Sequence, residues 1–309
     1  MNVGAVRLTE LQLHHDPPQP EELTNALGLV EDGHDLERRA VITRLGEGVD
    51  RSGELSETAM ERTLATLVDF RDVLDGYGVA TPRVVATSAA RDAQNRDTFF
   101  AAATDVLGAA PELLPGEEEA RLSFEGAVAG LDLGDAPFLV VDIGGGSTEL
   151  AVGTSTPEGV HSMNVGAVRL TELQLHHDPP QPEELTNALG LVEDRLDDAL
   201  RIVPAAEDAR TLVGVGGTIT SVAAIEIGLP VYDRDRVHRF RLSRAAAEDV
   251  FRTLATESLA DRKHNPGLHP DRADVIVGGC VVLVGVMRRL RAPELVVCDA
   301  DLLDALVAG

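Results

Sequence analysis

Short apolar runs and helix-period segments alternate along most of this chain, the mark of an α/β protein. Arg39-Ala40-Val41-Ile42-Thr43-Arg44-Leu45 reads as a strand that stops at Gly46-Glu47-Gly48. Ser56 is a good N-cap, and Met60, Leu64, Leu67, Phe70 and Leu74 follow at helical spacing until Gly76 and Gly78 end the run. Arg83 to Thr87 predicts a strand running into a helix from Ser88 to about Leu107, then a short strand at Glu112 to Leu114. Pro115-Gly116 turns the chain into another helix that begins with three glutamates. In the second half, Phe138 to Ile143, a glycine turn and Leu150-Ala151-Val152 predict a β-hairpin, with a third strand over Gly159 to Val165. A long helix starts at about Pro182, and Thr211 to Val215 is a strand leading through Gly216-Gly217-Thr218 into a helix at Ile219 to Ile227. Pro270 opens a helix to about Leu290, Glu294 to Cys298 is a last strand, and Ala300 to Val307 a last helix. The plan strand, hairpin, strand, helix, strand, helix therefore occurs twice. It implies two related α/β domains with a cleft between them. The turn-rich Leu131-Asp132-Leu133-Gly134-Asp135-Ala136-Pro137 sets the boundary, giving domains over 33–132 and 133–309.

Residues 1–32 stand outside this plan. Met1 to Asp32 is identical, letter for letter over 32 positions, to Met163 to Asp194. Structural repeats diverge because their copies pack against different neighbours, so identity of this kind points to a recent duplication or a misassembled or engineered gene. The second copy lies in continuous strand-to-helix context and reads as native. The first joins Gly33 abruptly and reads as the intruder.

Composition narrows the classes. Apolar residues make up 44% and aromatics 3%, so the core must be built from Val, Leu, Ile and Ala. No apolar run reaches the ~18–20 residues of a membrane span, and no basic signal peptide opens the chain. A net charge of −25 argues against a general nucleic-acid or membrane-surface binder and leaves a polyanionic ligand to local arginines. Lys263 is the only lysine, so nearly all positive charge is guanidinium, which grips phosphate oxygens bidentately. Cys280 and Cys298 lie in apolar surroundings without metal-ligand spacing, as buried thiols in a reducing cytoplasm would.

The candidate chemistry centres on Val141-Asp142-Ile143-Gly144-Gly145-Gly146-Ser147-Thr148-Glu149. Glycines let backbone N–H groups approach an anion, and Ser147 and Thr148 add hydroxyl donors. Asp142 and Glu149, at the two ends of the loop, are placed to hold Mg²⁺ beside a phosphate. Glu117-Glu118-Glu119 at a helix start complements the helix dipole or supplies one carboxylate as a general base. Thr87-Ser88-Ala89-Ala90-Arg91 is a hydroxyl cap or an anion site with an arginine. Gly214-Val215-Gly216-Gly217-Thr218 is a second glycine loop after a strand. His176-His177-Asp178, beside Pro179-Pro180, reads as a solvated loop.

Together these segments resemble the exopolyphosphatase/guanosine pentaphosphate phosphohydrolase (Ppx/GppA) family, of the actin-like superfamily (ribonuclease H-like domains), from about Leu36 to the C-terminus. The resemblance rests on Arg44-Leu45-Gly46-Glu47-Gly48, Ala86 to Arg91, Gly116 to Arg121, Val141 to Glu149, Gly166 to Glu172 and Gly214 to Thr218, in family order. It implies that Glu119 is the base that activates water and that Asp142 and Glu149 form the acidic pair around Mg²⁺. It also implies that Gly144, Gly145, Gly146, Ser147 and Thr148, with Gly216, Gly217, Thr218 and Arg91, bind phosphate. The reaction implied is Mg²⁺-dependent removal of the terminal phosphate of inorganic polyphosphate by in-line attack of water. (p)ppGpp is the alternative substrate, through the 5′-phosphohydrolase activity. A non-catalytic polyphosphate or nucleotide binder is the alternative of another class, and a sugar or acetate kinase comes third. The resemblance implies no nucleic-acid or membrane partner and a cytoplasmic location, with homodimerisation left open. The family's opening Asp-x-Gly-(Ser/Thr)-Asn-Ser-x-Arg loop, its first phosphate cradle, is absent between Met1 and Gly33. The first domain is therefore expected to lack its opening hairpin, two strands of its sheet and half of the phosphate clamp. Losing donors aimed at transition-state charge costs on the order of 10²–10³ in rate each.

Overall fold

Two β-sheets, each flanked by helices, organise the computed structural model, which describes residues 3–10, 24–31, 34–300 and 302–308. In the first domain, β1 (Val3–Glu10), β2 (Thr24–Glu31) and β3 (His34–Ile42) lead to α1 (Val49–Ser52) and α2 (Glu57–Gly76). Then come β4 (Arg83–Ala86), α3 (Ser88–Asp92), α4 (Arg96–Leu107), β5 (Glu112–Leu113) and α5 (Gly116–Val128). The second domain opens with β6 (Phe138–Ile143), β7 (Thr148–Gly153), β8 (Pro157–Met163), α6 (Ala167–Gln174) and α7 (Pro182–Ile202). It continues through β9 (Thr211–Val215), α8 (Gly217–Ile227), α9 (Arg234–Val237), β10 (Arg241–Ser243), α10 (Arg244–Thr256) and α11 (Leu259–Arg262). It closes with α12 (Ile276–Arg289), β11 (Glu294–Val297) and α13 (Leu302–Ala308).

The sheet orders are β3-β2-β1-β4-β5 and β10-β11-β9-β6-β7-β8. Counted from each domain's first strand, both contain the order 3-2-1-4, two antiparallel pairings followed by a parallel one. A further parallel strand comes next, β5 in the first sheet and β11 in the second, with β10 antiparallel at the far edge. The same core arrangement is thus built twice. The expectation that the first domain lacks two strands is corrected here. The backbones of Val3–Glu10 and Thr24–Glu31 occupy those positions, β1 pairing antiparallel with β2 and parallel with β4. The physical reason is edge satisfaction: without them β3 and β4 would each present a row of unpaired backbone groups inside the domain. The segment joining β1 to β2, where the missing phosphate loop belongs, lies outside the described residues. Thus one 32-residue sequence forms strands in the first domain and, as Met163 to Asp194, mainly α6 and α7 in the second.

Two expected helices are interrupted. The run from Ser88 to Leu107 splits between α3 and α4, because the Asn95 side chain accepts from Leu55 N (2.8 Å) and donates to Leu55 O (2.9 Å). The helix expected from Pro270 begins only at Ile276, after a 3-10 turn over Pro270–Arg272 that sends the buried Arg272 guanidinium inward to Gly217 O (2.8 Å) and Ser221 Oγ (2.6 Å). The Ser56 cap is as expected, its side chain accepting from Ala59 N. His177 and Asp178 are tied into the protein, to Glu184 Oε1 (2.8 Å) and to Leu259 N and Arg262 respectively.

Packing crosses the linker. Ala120, Phe124 and Ala127 of α5 join Phe138, Val140, Ala151, Val213 and Val215 of the second sheet in one apolar cluster. In return α13 sets Leu302, Leu303 and Leu306 against Val85, Leu114 and Leu122. Helix α5 is thus held at the seam, where its polar side meets both domains. Both cysteines are buried. Among the described residues no helix is long and apolar enough to cross a membrane.

Candidate active site

Strand periodicity places the two acids of the glycine hairpin. Phe138 and Val140 face α5, so Asp142, two residues further on, points the same way. Its cross-strand partner is Glu149, while Ile143 pairs with Thr148 on the opposite face. Asp142 and Glu149 are both buried, and so is Glu119. Helix α5 carries Glu119 and, one turn later, Ser123 on the face that meets this hairpin. Ser123 Oγ donates to Asp142 Oδ2 at 2.6 Å, and Ser162 Oγ from β8 donates to Glu149 Oε1 at 2.7 Å. The proton affinity of Glu149 is pushed well above the carboxylate range. Burial is the main cause, followed by the charges of Glu119 and Asp142, and hydrogen bonds from Ser147 and Ser162 only partly oppose them.

The glycine loop is fixed from its carbonyl side. Ala167 N donates to Gly144 O (2.9 Å), Val168 N and Arg169 N donate to Gly145 O (2.9 and 3.1 Å), and Arg169 Nε donates to Gly146 O (2.6 Å). The first turn of α6 thus holds three successive carbonyls. These peptide units are trans, so the N–H groups of Gly145, Gly146 and Ser147 point away from α6. Gly166 makes this approach possible, since a Cβ there would lie 2.5 Å from the Gly144 and Gly145 oxygens. Thr148 is turned to other work: its hydroxyl donates to Val165 O at 2.6 Å.

The second glycine loop abuts the first. Gly216 has φ +87°, and a Cβ on it would sit 2.7 Å from Ile143 O and 2.9 Å from Asp142 Oδ1. Glycine is required there on both counts. Thr218 is fully buried, and its Oγ1 has no hydrogen-bond partner among the described residues. On the first-domain side, Arg91 Nη1 donates to Leu114 O (2.9 Å) and lies 3.4 Å from Glu119 Oε2. The structure thus brings Arg91, Glu119, Asp142, Glu149 and both glycine loops to one seam.

The donor set suits Mg²⁺. Asp142 and Glu149 are hard oxygen ligands, buried together beside Glu119. Among the described residues no three acidic, histidine or cysteine side chains enclose a metal site. Mg²⁺ takes one or two carboxylates and completes its shell with waters and substrate phosphate. Sequence reasoning missed Ser123 and Ser162 as carboxylate partners. Ser123 was accessible as the i+4 neighbour of Glu119, whereas Ser162 becomes visible only through the β7–β8 register, in which it pairs with Glu149.

Comparison with known proteins identifies the family. The family model described as the Ppx/GppA phosphatase family matches residues 30–306. Exopolyphosphatase 2 of Mycobacterium tuberculosis is 43% identical over 282 residues, covering 88% of this chain and 88% of that protein. A solved exopolyphosphatase-like protein superposes with a TM-score of 0.92 at 34% identity, over 100% of this chain and 98% of that one. A Ppx/GppA family member from Aquifex aeolicus gives 0.78 at 27% identity, over 99% and 96%. With its doubled sheet topology and its acidic hairpin facing α5, the chain belongs to the Ppx/GppA phosphatase family.

Proposed function

We propose that this protein is an exopolyphosphatase that hydrolyses the terminal phosphoanhydride bond of inorganic polyphosphate in a Mg²⁺-dependent reaction. The observation that carries the reading is the meeting of Glu119 on α5 with Asp142 and Glu149 beside a loop whose N–H groups are aimed away from α6. Relatives named as exopolyphosphatases support the substrate class. Mg²⁺, when bound, would neutralise charge on the phosphate oxygens. Asp142 and Glu149 would hold it, oriented by Ser123 and Ser162. The N–H groups of Gly145, Gly146 and Ser147 would receive the terminal phosphate, and Thr218 Oγ1 is a further donor. Glu119 takes a proton from water as the water oxygen bonds to the terminal phosphorus and the bond to the bridging oxygen breaks. The products are orthophosphate and a chain shorter by one unit. Arg91 orients the Glu119 carboxylate and stands ready to meet a phosphate oxygen.

The absence of an Asp-x-Gly-(Ser/Thr)-Asn-Ser sequence from residues 1–32 favours an impaired enzyme, slowed on the order of 10²–10³ by the loss of one cradle. Phosphate release from long-chain polyphosphate, with and without Mg²⁺, tests the reading against Glu119→Gln, which should lose about 10²–10⁴-fold. Faster release from guanosine pentaphosphate than from polyphosphate would reassign the substrate. Retained polyphosphate binding with no release by either protein would make the chain a non-catalytic binder.

A further inference from the structure

Arg169 stands where three parts of the molecule meet. Its Nε donates to Gly146 O of the phosphate loop (2.6 Å), its Nη1 pairs with Asp50 Oδ1 (2.6 Å), and its Nη2 pairs with Asp92 Oδ2. Asp50 lies on α1 and Asp92 ends α3, so both acids come from the first domain, while Arg169 and the loop belong to the second. The guanidinium is planar and rigid, so moving the two acids must turn the plane and with it the Nε–H that holds Gly146. Arg169 is only 16% exposed, so these contacts are not an ordinary solvated surface pair. Burial raises the Asp50 proton affinity despite Arg169 beside it.

The neighbouring contacts also cross the seam, with their donors on the first-domain side. Gly48 N donates to Glu172 Oε1 (3.0 Å), Arg51 lies 3.8 Å from Glu172, and Arg44 pairs with Asp274 (2.5 Å) and reaches Asp271 O. These can hold the domains together without touching the phosphate loop. Arg169 alone among them grips a loop carbonyl as well. We propose that Arg169 is a positioning residue that couples domain closure to the shape of the phosphate loop: with the domains together, Asp50 and Asp92 hold the guanidinium so that Gly146 and the following Ser147 N–H are set for phosphate, and separation of the domains releases them. The proposal rests on the functional reading of the loop given above, and it concerns when that loop is formed rather than what it binds.

The test uses the full chain with paired spin labels on Glu61→Cys and Glu193→Cys, exposed positions on α2 and α7 in opposite domains. The native cysteines are buried. The unaltered chain should give a narrow interdomain distance distribution. Arg169→Gln should give a longer and broader one, and Arg169→Lys should fail to restore it, because a single ammonium cannot serve three acceptors in one plane. Asp92→Asn should shift the distribution in the same direction, and combined with Arg169→Gln it should add nothing further. Folded Arg169→Gln and Asp92→Asn proteins with the unaltered distribution would overturn the proposal. If Arg169→Gln fails to fold, Asp92→Asn decides alone, since that aspartate is a third exposed and lies at the rim. The measurement needs no turnover, so a chain without phosphatase activity would refute the functional reading and leave this result standing.

Discussion

Ser123 donates a 2.6 Å hydrogen bond to Asp142 from one helical turn beyond Glu119. One face of α5 therefore carries both Glu119, the proposed base, and the group that orients an acid on the facing strand. A short bond to a buried carboxylate orients it: Oδ2 takes the Ser123 hydroxyl, and Oδ1 lies on the side of Gly216. Partners of this kind commonly change metal affinity by about 10–100-fold. Ser123→Ala should raise the Mg²⁺ concentration needed for half-maximal phosphate release by about tenfold, with less effect on the rate at saturating metal. Mg²⁺-dependent protection against thermal unfolding should shift in parallel and gives a check independent of turnover.

Gly146 is where the glycine loop touches the first domain. A Cβ there would lie 2.9 Å from Ser88 Oγ and 3.2 Å from Arg169 Nη2. Ser88 is buried at the head of α3, so it has little room to retreat. Gly146→Ala should cost about 1–3 kcal/mol by overpacking and lower phosphate release, with Ser88→Gly in the same chain recovering part of both. Recovery is measured as a double-mutant cycle on melting temperature and rate. Equal losses with and without Ser88→Gly would show that the strain lies elsewhere.

Glu184 supports the start of α7. Its carboxylate accepts from His176 N (2.9 Å), Gln181 N (2.9 Å) and His177 Nδ1 (2.8 Å). Burial works against the charge, but the bonds from His177, Gln181 and His176 prevail and hold its pKa at about 2. An unfolded glutamate titrates near about 4.3, so the folded value is depressed. The stabilisation is therefore present above about pH 4.3 and is lost as pH falls towards about 2. Glu184→Ala should cost about 1–2 kcal/mol at pH 7, seen as a drop in melting temperature. The gap between variant and parent should narrow as the pH is lowered through that window. A gap independent of pH between about 7 and 3 would mean the side chain acts by packing alone.

The site was legible in the sequence to the extent that it obeys local periods. A strand of alternating faces fixed Asp142 opposite Glu149, and a helix starting at Gly116 fixed Glu119. What escaped depends on residues far apart along the chain. The break between α3 and α4 comes from Asn95 bonding to Leu55, 40 residues earlier, and nothing within 88–107 signals it. Arg169 lay inside a recognised motif, yet its partners Asp50 and Asp92 were invisible until the domains were docked. Helix α10 is a different kind of omission, because its signal was local. Ser243 caps it, and Ala247, Val250, Phe251 and Leu254 line its buried face. The hydroxyl of Thr148 was assigned to phosphate from its place beside Ser147, but alternation along β7 sends it to the other face, onto Val165.

The leading segment shows the limit of local reading most directly. The residues of the central strand Val3–Glu10 recur as Val165–Glu172, of which all but the first two lie in a helix, so context decides between them. For the second copy that context is the apolar packing of Leu170, Ala188, Val192 and Leu196. For the first it is the open edges of β3 and β4, each needing backbone partners. Because β1 is bonded on both sides, removing residues 1–32 should uncover both edges at once. The second domain keeps its own six strands and its large apolar core. Deletion of 1–32 should therefore speed amide exchange in β3, β4 and β5 while β6, β7 and β9 stay protected, and it should lower the soluble yield. Unchanged protection of β4 in the shortened chain would show that the leading copy contributes nothing to the sheet. Uniform loss across both domains would show that the second sheet depends on the first, through α5 and the return of α13 to Val85 and Leu114.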